Sequence, residues 1–190
     1  MTAPGWLSRS RADVPGGDAW LGPRERVAQD RLRFARRRAD WRLGRWTAKA
    51  AIGAWLGVDP PAVEVLAAPD GAPEAWLGKR RLPVTVSLSH RDGRAIAVVA
   101  DAPGAVGCDL EVVEPRSDAF VAEWLTPSER AAVKAAGADG APRAANLAWT
   151  AKEAAAKVRR EGLRLDVRHA EAVFDQDAPA PAWRRLVVRW

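Results

Sequence analysis

The chain has 190 residues, a formal net charge of +6 and a sequence pI near 10.4. Its 48% hydrophobic and 28% charged residues describe a globular protein rather than a disordered one, and no run approaches the roughly 18 apolar residues of a membrane span. Cys108 is the single cysteine, which excludes an internal disulfide framework. The N-terminus has no basic-then-apolar signal layout, so the expectation is a cytoplasmic protein whose basic balance suits anionic partners.

Residues 1–23 are punctuated by Gly and Pro and read as mostly irregular. Arg24–Trp55 reads as one long helix. Leu32, Ala35, Ala39, Leu43, Trp46 and Ala50 recur at three- and four-residue steps, and Arg31, Arg38, Arg42, Arg45 and Lys49 form a basic stripe beside them. Gly57 and Pro60-Pro61 end it. PDGAP (Pro69–Pro73) is a turn. VTVSLSH (Val84–His90) alternates as a strand, Arg91–Gly93 turns it, and Arg94–Ala100 returns as its hairpin partner.

After a turn at Ala102–Gly104, AVGCDLE (Ala105–Glu111) reads as a further strand. Thr126, Pro127 and Glu129 form a capped helix start, with the helix running to about Ala136. A second helix covers Arg143–Arg160 and stops near Gly162. Ala170–Phe174 and Arg185–Trp190 are strand candidates. No repeat with a period of about 20 to 50 residues is present. The order of elements predicts an α+β fold of two similar-sized halves, residues 1–103 and 104–190, with antiparallel sheets packed against helices.

Four constellations could carry chemistry. Asp109 and Glu111 stand two apart, so on a strand they share a face while Val106, Cys108 and Leu110 face the core. A solvated edge strand accounts for them equally well. In WTAKEAAAK (Trp149–Lys157), Trp149, Glu153 and Lys157 share a helix face; an i,i+4 ion pair is the plain alternative. Three carboxylates from a strand and a helix would make an oxygen-rich site of the kind that suits Mg²⁺ completed by substrate phosphates. SLSH (Ser87–His90) ends a strand and could bind a phosphate or simply begin a turn. The basic stripe could hold a nucleotide phosphate, lie on nucleic acid or be a solvated face. With His90 and His169 the only histidines, a His-rich zinc site is disfavoured.

In order, SLSH, VGCDLE and WTAKEAAAK resemble the motifs of the 4′-phosphopantetheinyl transferases of the Sfp type. RRRADWRLGRW resembles that family's basic helix and DGAP its turn. The resemblance runs from about Leu21 to Phe174. It implies a pseudo-twofold pair of α/β halves and a cytoplasmic monomer. It implies transfer of the phosphopantetheine arm of coenzyme A to a serine of an acyl or peptidyl carrier protein, releasing adenosine 3′,5′-bisphosphate, with a lean toward secondary metabolism. It assigns Asp109, Glu111 and Glu153 to Mg²⁺, with Mn²⁺ as a substitute. Glu153 would take the serine proton and Lys157 would contact the phosphates. Arg33, Arg36, Arg45, Lys49, Ser89 and His90 would hold coenzyme A.

Two departures stand out. Ala72 lies in the turn where relatives carry Lys or Arg, and the chain stops at Trp190 where relatives continue through further strands. Two other readings remain: an inactive relative that binds coenzyme A or a carrier, and an Arg-rich nucleic-acid module. The second leaves the acids unexplained, so no nucleic-acid or membrane partner is expected.

Overall fold

The computed structural model describes residues 5–160, 166–174 and 186–189. The chain forms two compact units, Met1–Leu110 and Glu111–Trp190. Together their described residues are α+β with antiparallel sheets, as expected.

In the first unit, β1 (Gly5–Ser10) and β5 (Val84–Arg91) flank β6 (Arg94–Asp101) in one antiparallel sheet. The β5–β6 hairpin closes through Asp92 and Gly93, at φ 47° and 72°. Two positive φ values are what a tight hairpin turn needs, and Asp-Gly meets it cheaply. A second sheet joins β2 (Val63–Ala67), β3 (Pro73–Leu77) and β4 (Arg80–Arg81). The expected PDGAP turn connects β2 to β3, with Ala68 N–H donating to Ala72 O at 2.8 Å. Helix α1 (Pro23–Asp30) and helix α2 (Ala35–Leu56) complete the unit. Its core combines branched residues, among them Ile52, Val63, Val65, Val84, Val86 and Val99, with Ala48, Ala51, Ala75 and Ala97.

In the second unit, α3 (Asp118–Trp124), α4 (Pro127–Ala135) and α5 (Gly137–Arg159) precede the pair β7 (Glu171–Phe174) and β8 (Leu186–Arg189). The capped start at Thr126 is present: its side chain accepts from Glu129 N–H, and Glu129 accepts from Thr126 N–H. The buried hydrophobic cluster here is Leu125, Ala145, Ala148 and Ala172.

Four expectations are corrected. Residues 5–10 are a strand, not irregular chain; the alternation of GWLSRS lets it pair with β6 despite the Gly and Pro around it. The long helix is two. Arg31 ends α1, Phe34 takes an extended conformation, and Arg38 donates to Leu32 O across the break. RLRF contains no breaker, so the interruption is imposed by packing. Finally, Ala105–Glu111 joins no sheet. Cys108 N–H donates instead to the Ser87 hydroxyl at 3.0 Å, a side-chain bond in place of a ladder bond. Cys108 is buried, as the apolar reading expected. The last helix also starts earlier than Arg143, running through Pro142. The expected stop near Gly162 lies outside the described residues.

Each unit contains the sequence of elements helix–helix–strand–strand, and each fastens it with the same buried ion pair. In the first, Glu25 Oε2 accepts from Lys49 Nζ at 2.7 Å and Gly22 N–H at 2.9 Å, while Oε1 accepts from Val65 N–H at 2.9 Å. In the second, Glu129 Oε2 accepts from Thr126 N–H at 2.7 Å and pairs with Lys152 Nζ at 2.7 Å, while Oε1 accepts from Ala172 N–H at 2.6 Å. Lys49 also donates to Trp20 O and Lys152 to Trp124 O. Both lysine side chains are fully buried. Trp20 packs edge-on against Trp46, and Trp124 does so against Trp149. The sequences concur: WLGPRE (Trp20–Glu25) parallels WLTPSE (Trp124–Glu129), and WTAK occurs at Trp46–Lys49 and Trp149–Lys152.

Candidate active site

Strand β5 delivers Ser87, Ser89 and His90 in succession. Ser87 and Ser89 are buried and His90 is exposed at the strand end. Ser89 Oγ donates to Asp109 Oδ1 at 2.8 Å, so the serine is an orienting partner of the carboxylate. Beside His90, the break between α1 and α2 leaves an open depression of about 540 Å³, lined by Leu32, Phe34, Arg36, Arg37, Asp40, Trp41 and His90. Of the expected ligand-holding residues it brings together Arg36 and His90; Arg33 is exposed in the break and is not part of its wall.

Arg45 is one turn of α2 beyond Trp41, with its guanidinium over the indole at 5.0 Å. Burial pushes the Arg45 pKa down, opposed by the charge of Glu25. Lys49, also expected to meet nucleotide phosphate, is buried with Glu25; desolvation lowers its pKa and the Glu25 hydrogen bond opposes that shift. The basic stripe is therefore divided. Arg38 is exposed, Arg42 is held by Asp18 and Gln29, and Lys49 belongs to the core.

In the second unit, Glu111 pairs with Arg116 at 3.2 Å, and Arg116 Nε donates to Asn146 Oδ1 at 2.7 Å. Asn146 in turn donates to Glu114 O and Pro142 O. This network ties the segment carrying Glu111 to α5. Glu153 and Lys157 are partly exposed on α5, four residues apart. Thr150 lies mid-helix, where it has no helix start to cap.

The acids expected to bind Mg²⁺ are oxygen donors, the kind that a hard divalent cation takes. Asp109 and Glu111 are each oriented by a neighbouring donor, Ser89 and Arg116, as ligating carboxylates generally are. By donor chemistry they fit the cation. Among the described residues no three His, Cys, Asp or Glu side chains already form a metal-holding group. No helix among them is long and apolar enough to cross a membrane.

Residues 105–185 match the family model of the 4′-phosphopantetheinyl transferase superfamily. The matched segment is less than half of the chain and includes Asp109, Glu111, Glu153 and Lys157. It supports a phosphopantetheinyl transferase. No curated protein matches the chain. Among solved structures, the chain is similar to a holo-(acyl-carrier-protein) synthase from Bacillus anthracis in complex with CoA (3′,5′-ADP). Identity is 21% over 50% of this chain and 91% of that one, with a TM-score of 0.43. The Helicobacter pylori holo-[acyl-carrier-protein] synthase in complex with coenzyme A is 20% identical over 53% and 100%, at 0.41. The Thermotoga maritima holo-[acyl-carrier-protein] synthase is 24% identical over 65% and 74%, at 0.42.

Trp41, Phe34 and Arg37 also line the depression and are not among the site residues expected from sequence. The i,i+4 spacing of Arg37, Trp41 and Arg45 was the available signal. In the sequence Glu129 is legible as part of a cap and Lys152 as part of a motif, and the recurrence of WLxPxE and WTAK is the signal that both belong to a repeated device.

Proposed function

We propose that the protein transfers the phosphopantetheine arm of coenzyme A to a serine of an acyl or peptidyl carrier protein. The observation that carries this reading is the family match over residues 105–185, which spans all three acids and Lys157. The depression supports it: the guanidinium groups of Arg36 and Arg37 and the imidazole of His90, beside the aromatic walls of Phe34 and Trp41, suit a purine nucleotide bearing phosphate.

In this reading Arg36, Arg37 and His90 bind the far phosphate, with Arg45 steadying Trp41 from behind. Lys157 meets the pyrophosphate. Asp109, Glu111 and Glu153 would hold Mg²⁺, which when bound neutralises charge on the pyrophosphate. Glu153 takes the proton of the carrier serine. The serine oxygen then forms a bond to the phosphorus bearing the pantetheine arm, and the bond from that phosphorus to adenosine 3′,5′-bisphosphate breaks. No enzyme nucleophile is needed, consistent with a buried Cys108.

The test is to incubate the protein, coenzyme A, Mg²⁺ and an apo carrier, then weigh the carrier by mass spectrometry. The expected result is a gain of one phosphopantetheine arm, absent with Asp109→Ala. No gain across several acyl and peptidyl carriers would favour binding without catalysis. That second reading draws on the burial of Lys49 in its ion pair with Glu25.

A further inference from the structure

We infer that Lys152 and Glu129 are positioning residues for Glu153, setting the roll of α5 so that the adjoining carboxylate points where its task requires. The inference rests on the role proposed above for Glu153.

Three observations carry it. First, the pair joins separate elements at one point. Lys152 on α5 meets Glu129 at the start of α4 and Trp124 O at the end of α3, and Glu129 accepts from Ala172 on β7. Second, the buried face of α5 among the described residues is small and smooth: Ala145, Ala148 and Ala156 are its buried hydrophobics. Alanines give a helix few knobs to lock its rotation, so the roll of α5 rests on Trp149, which packs edge-on against Phe120 and Trp124, and on polar contacts. A buried, hydrogen-bonded ion pair adds directional preference where packing adds little. Third, Glu153 directly follows Lys152. Neighbouring helical residues are held at a fixed angle, so anchoring one aims the other. A roll of about 20° would move a carboxylate about 6 Å from the axis by roughly 2 Å, beyond the tolerance of about 0.5 Å for a ligating group.

The first unit separates this role from ordinary support. There the same clamp stands beside Ala50, and α2 packs its face with Leu43 and Ile52. The clamp is thus a general fastening, and in the second unit a carboxylate has been placed next to it.

The experiment measures Mn²⁺ affinity by EPR in the full chain with coenzyme A present, alongside Mg²⁺ half-saturation of transfer. Folding is checked by circular dichroism. The reference variant Glu153→Gln is expected to lose Mn²⁺ binding. The double variant K152M/E129L, which replaces the pair by apolar groups, is expected to fold and to weaken Mn²⁺ binding at least tenfold. Lys152→Arg, which keeps the charge, is expected to recover most of that affinity relative to the double variant, yet remain measurably weaker than wild type. Glu25→Gln, in the other clamp, should lower Tm while Mn²⁺ affinity stays within twofold. Wild-type affinity in folded K152M/E129L, with Glu153→Gln defective, overturns the positioning role alone. Should the double variant fail to fold, wild-type affinity in Lys152→Arg overturns it. Wild-type affinity in Glu153→Gln removes the ligand role of Glu153 and this inference with it.

Discussion

The two units fasten their paired helices identically yet fill their cores differently. Glu25 and Glu129 each receive a lysine, the N–H of a helix N-cap residue and the N–H of a strand residue, with the same oxygen assigned to each partner. Among the described residues, the first core holds Ile52, Val63, Val65 and Val99 alongside alanines; the second holds Leu125, Ala145, Ala148 and Ala172, with Val121 and Val133 packed against them. Branched side chains specify one packing by shape, whereas alanines leave more of that task to polar contacts. WTAK is followed by Ala50 in one unit and by Glu153 in the other. In the proposed reading the clamp is structural, and chemistry is an addition at its border.

The largest effect should come from erasing that addition. Glu153→Ala turns WTAKE into the WTAKA of the first unit. Transfer to an apo carrier should fall by about 10³-fold or more if Glu153 serves both metal and proton. Stability should change by less than about 0.5 kcal/mol, as for other partly exposed positions. A variant that keeps transfer would mean that the two helices differ by drift rather than by function.

The next effect tests whether the clamps are equal. Glu25→Gln and Glu129→Gln each leave a buried lysine without its countercharge, a loss of about 3–5 kcal/mol. Calorimetry should show large drops in Tm for both. Near-UV circular dichroism should show the greater loss of fixed Trp environment for Glu129→Gln, because its surroundings have less shape to fall back on. Equal loss of tertiary signal in both would refute the contrast between the cores.

Much of this was legible from sequence, and the omissions share a cause. The start of α4 was visible because Thr126, Pro127 and Glu129 signal it within four positions. The β5–β6 hairpin was visible because Asp92-Gly93 is a local requirement. The acids, Ser89, His90 and the helix bearing Glu153 were legible as motifs. Periodicity places Lys49 in the basic stripe of α2 but not its burial, because its partner Glu25 lies on another helix and periodicity within α2 does not report which face that helix covers. The break at Arg31–Phe34 fails for the same reason, since nothing in RLRF opposes a helix. The Ala105–Glu111 segment looked like a strand because it alternates, but its backbone binds Ser87 instead of a neighbouring strand. The repeat itself was written in WLGPRE and WLTPSE, half a chain apart and too far for a search at short periods.

A smaller effect concerns the residue before each clamp helix. Gly22 caps α1 without a side chain, since an added Cβ would lie 2.3 Å from the Glu64 carboxylate that binds Arg24. Thr126 has room, and its hydroxyl accepts from Glu129 N–H. Gly22→Ala must displace Glu64 and should cost about 1–3 kcal/mol. Thr126→Ala loses only a cap, about 1 kcal/mol. Chemical denaturation of both variants checks the order; a reversal would show that Glu64 yields easily and that the two caps are interchangeable.

The smallest expected effect lies at the short 3₁₀ turn before the first strand of each helix–helix–strand–strand set. In the first unit Pro60 and Pro61 set the turn at Pro60–Ala62, and Asp59 makes no side-chain cap bond. In the second, Asp166 caps the turn at Val167–His169 and takes both the side chain and the N–H of Arg168. Hydrogen bonds from the Arg168 side chain, then from its backbone, lower the Asp166 pKa from 3.8 to about 2. The folded value lies below the unfolded one, so the stabilisation is complete above the unfolded pKa and disappears as pH falls through the folded value. Between pH 3.8 and about 2 the second turn should therefore loosen while the proline-set turn is unaffected by this group. Both partners are solvent-exposed, so the effect on global stability is slight and screened by salt. NMR titration should place the Asp166 carboxyl near 2, and Asp166→Asn should remove the acid-dependent exchange of the His169 and Ala170 amides. Equal acid sensitivity at Ala62 and Ala170 would show that prolines and an ion pair are equivalent ways to hold this turn.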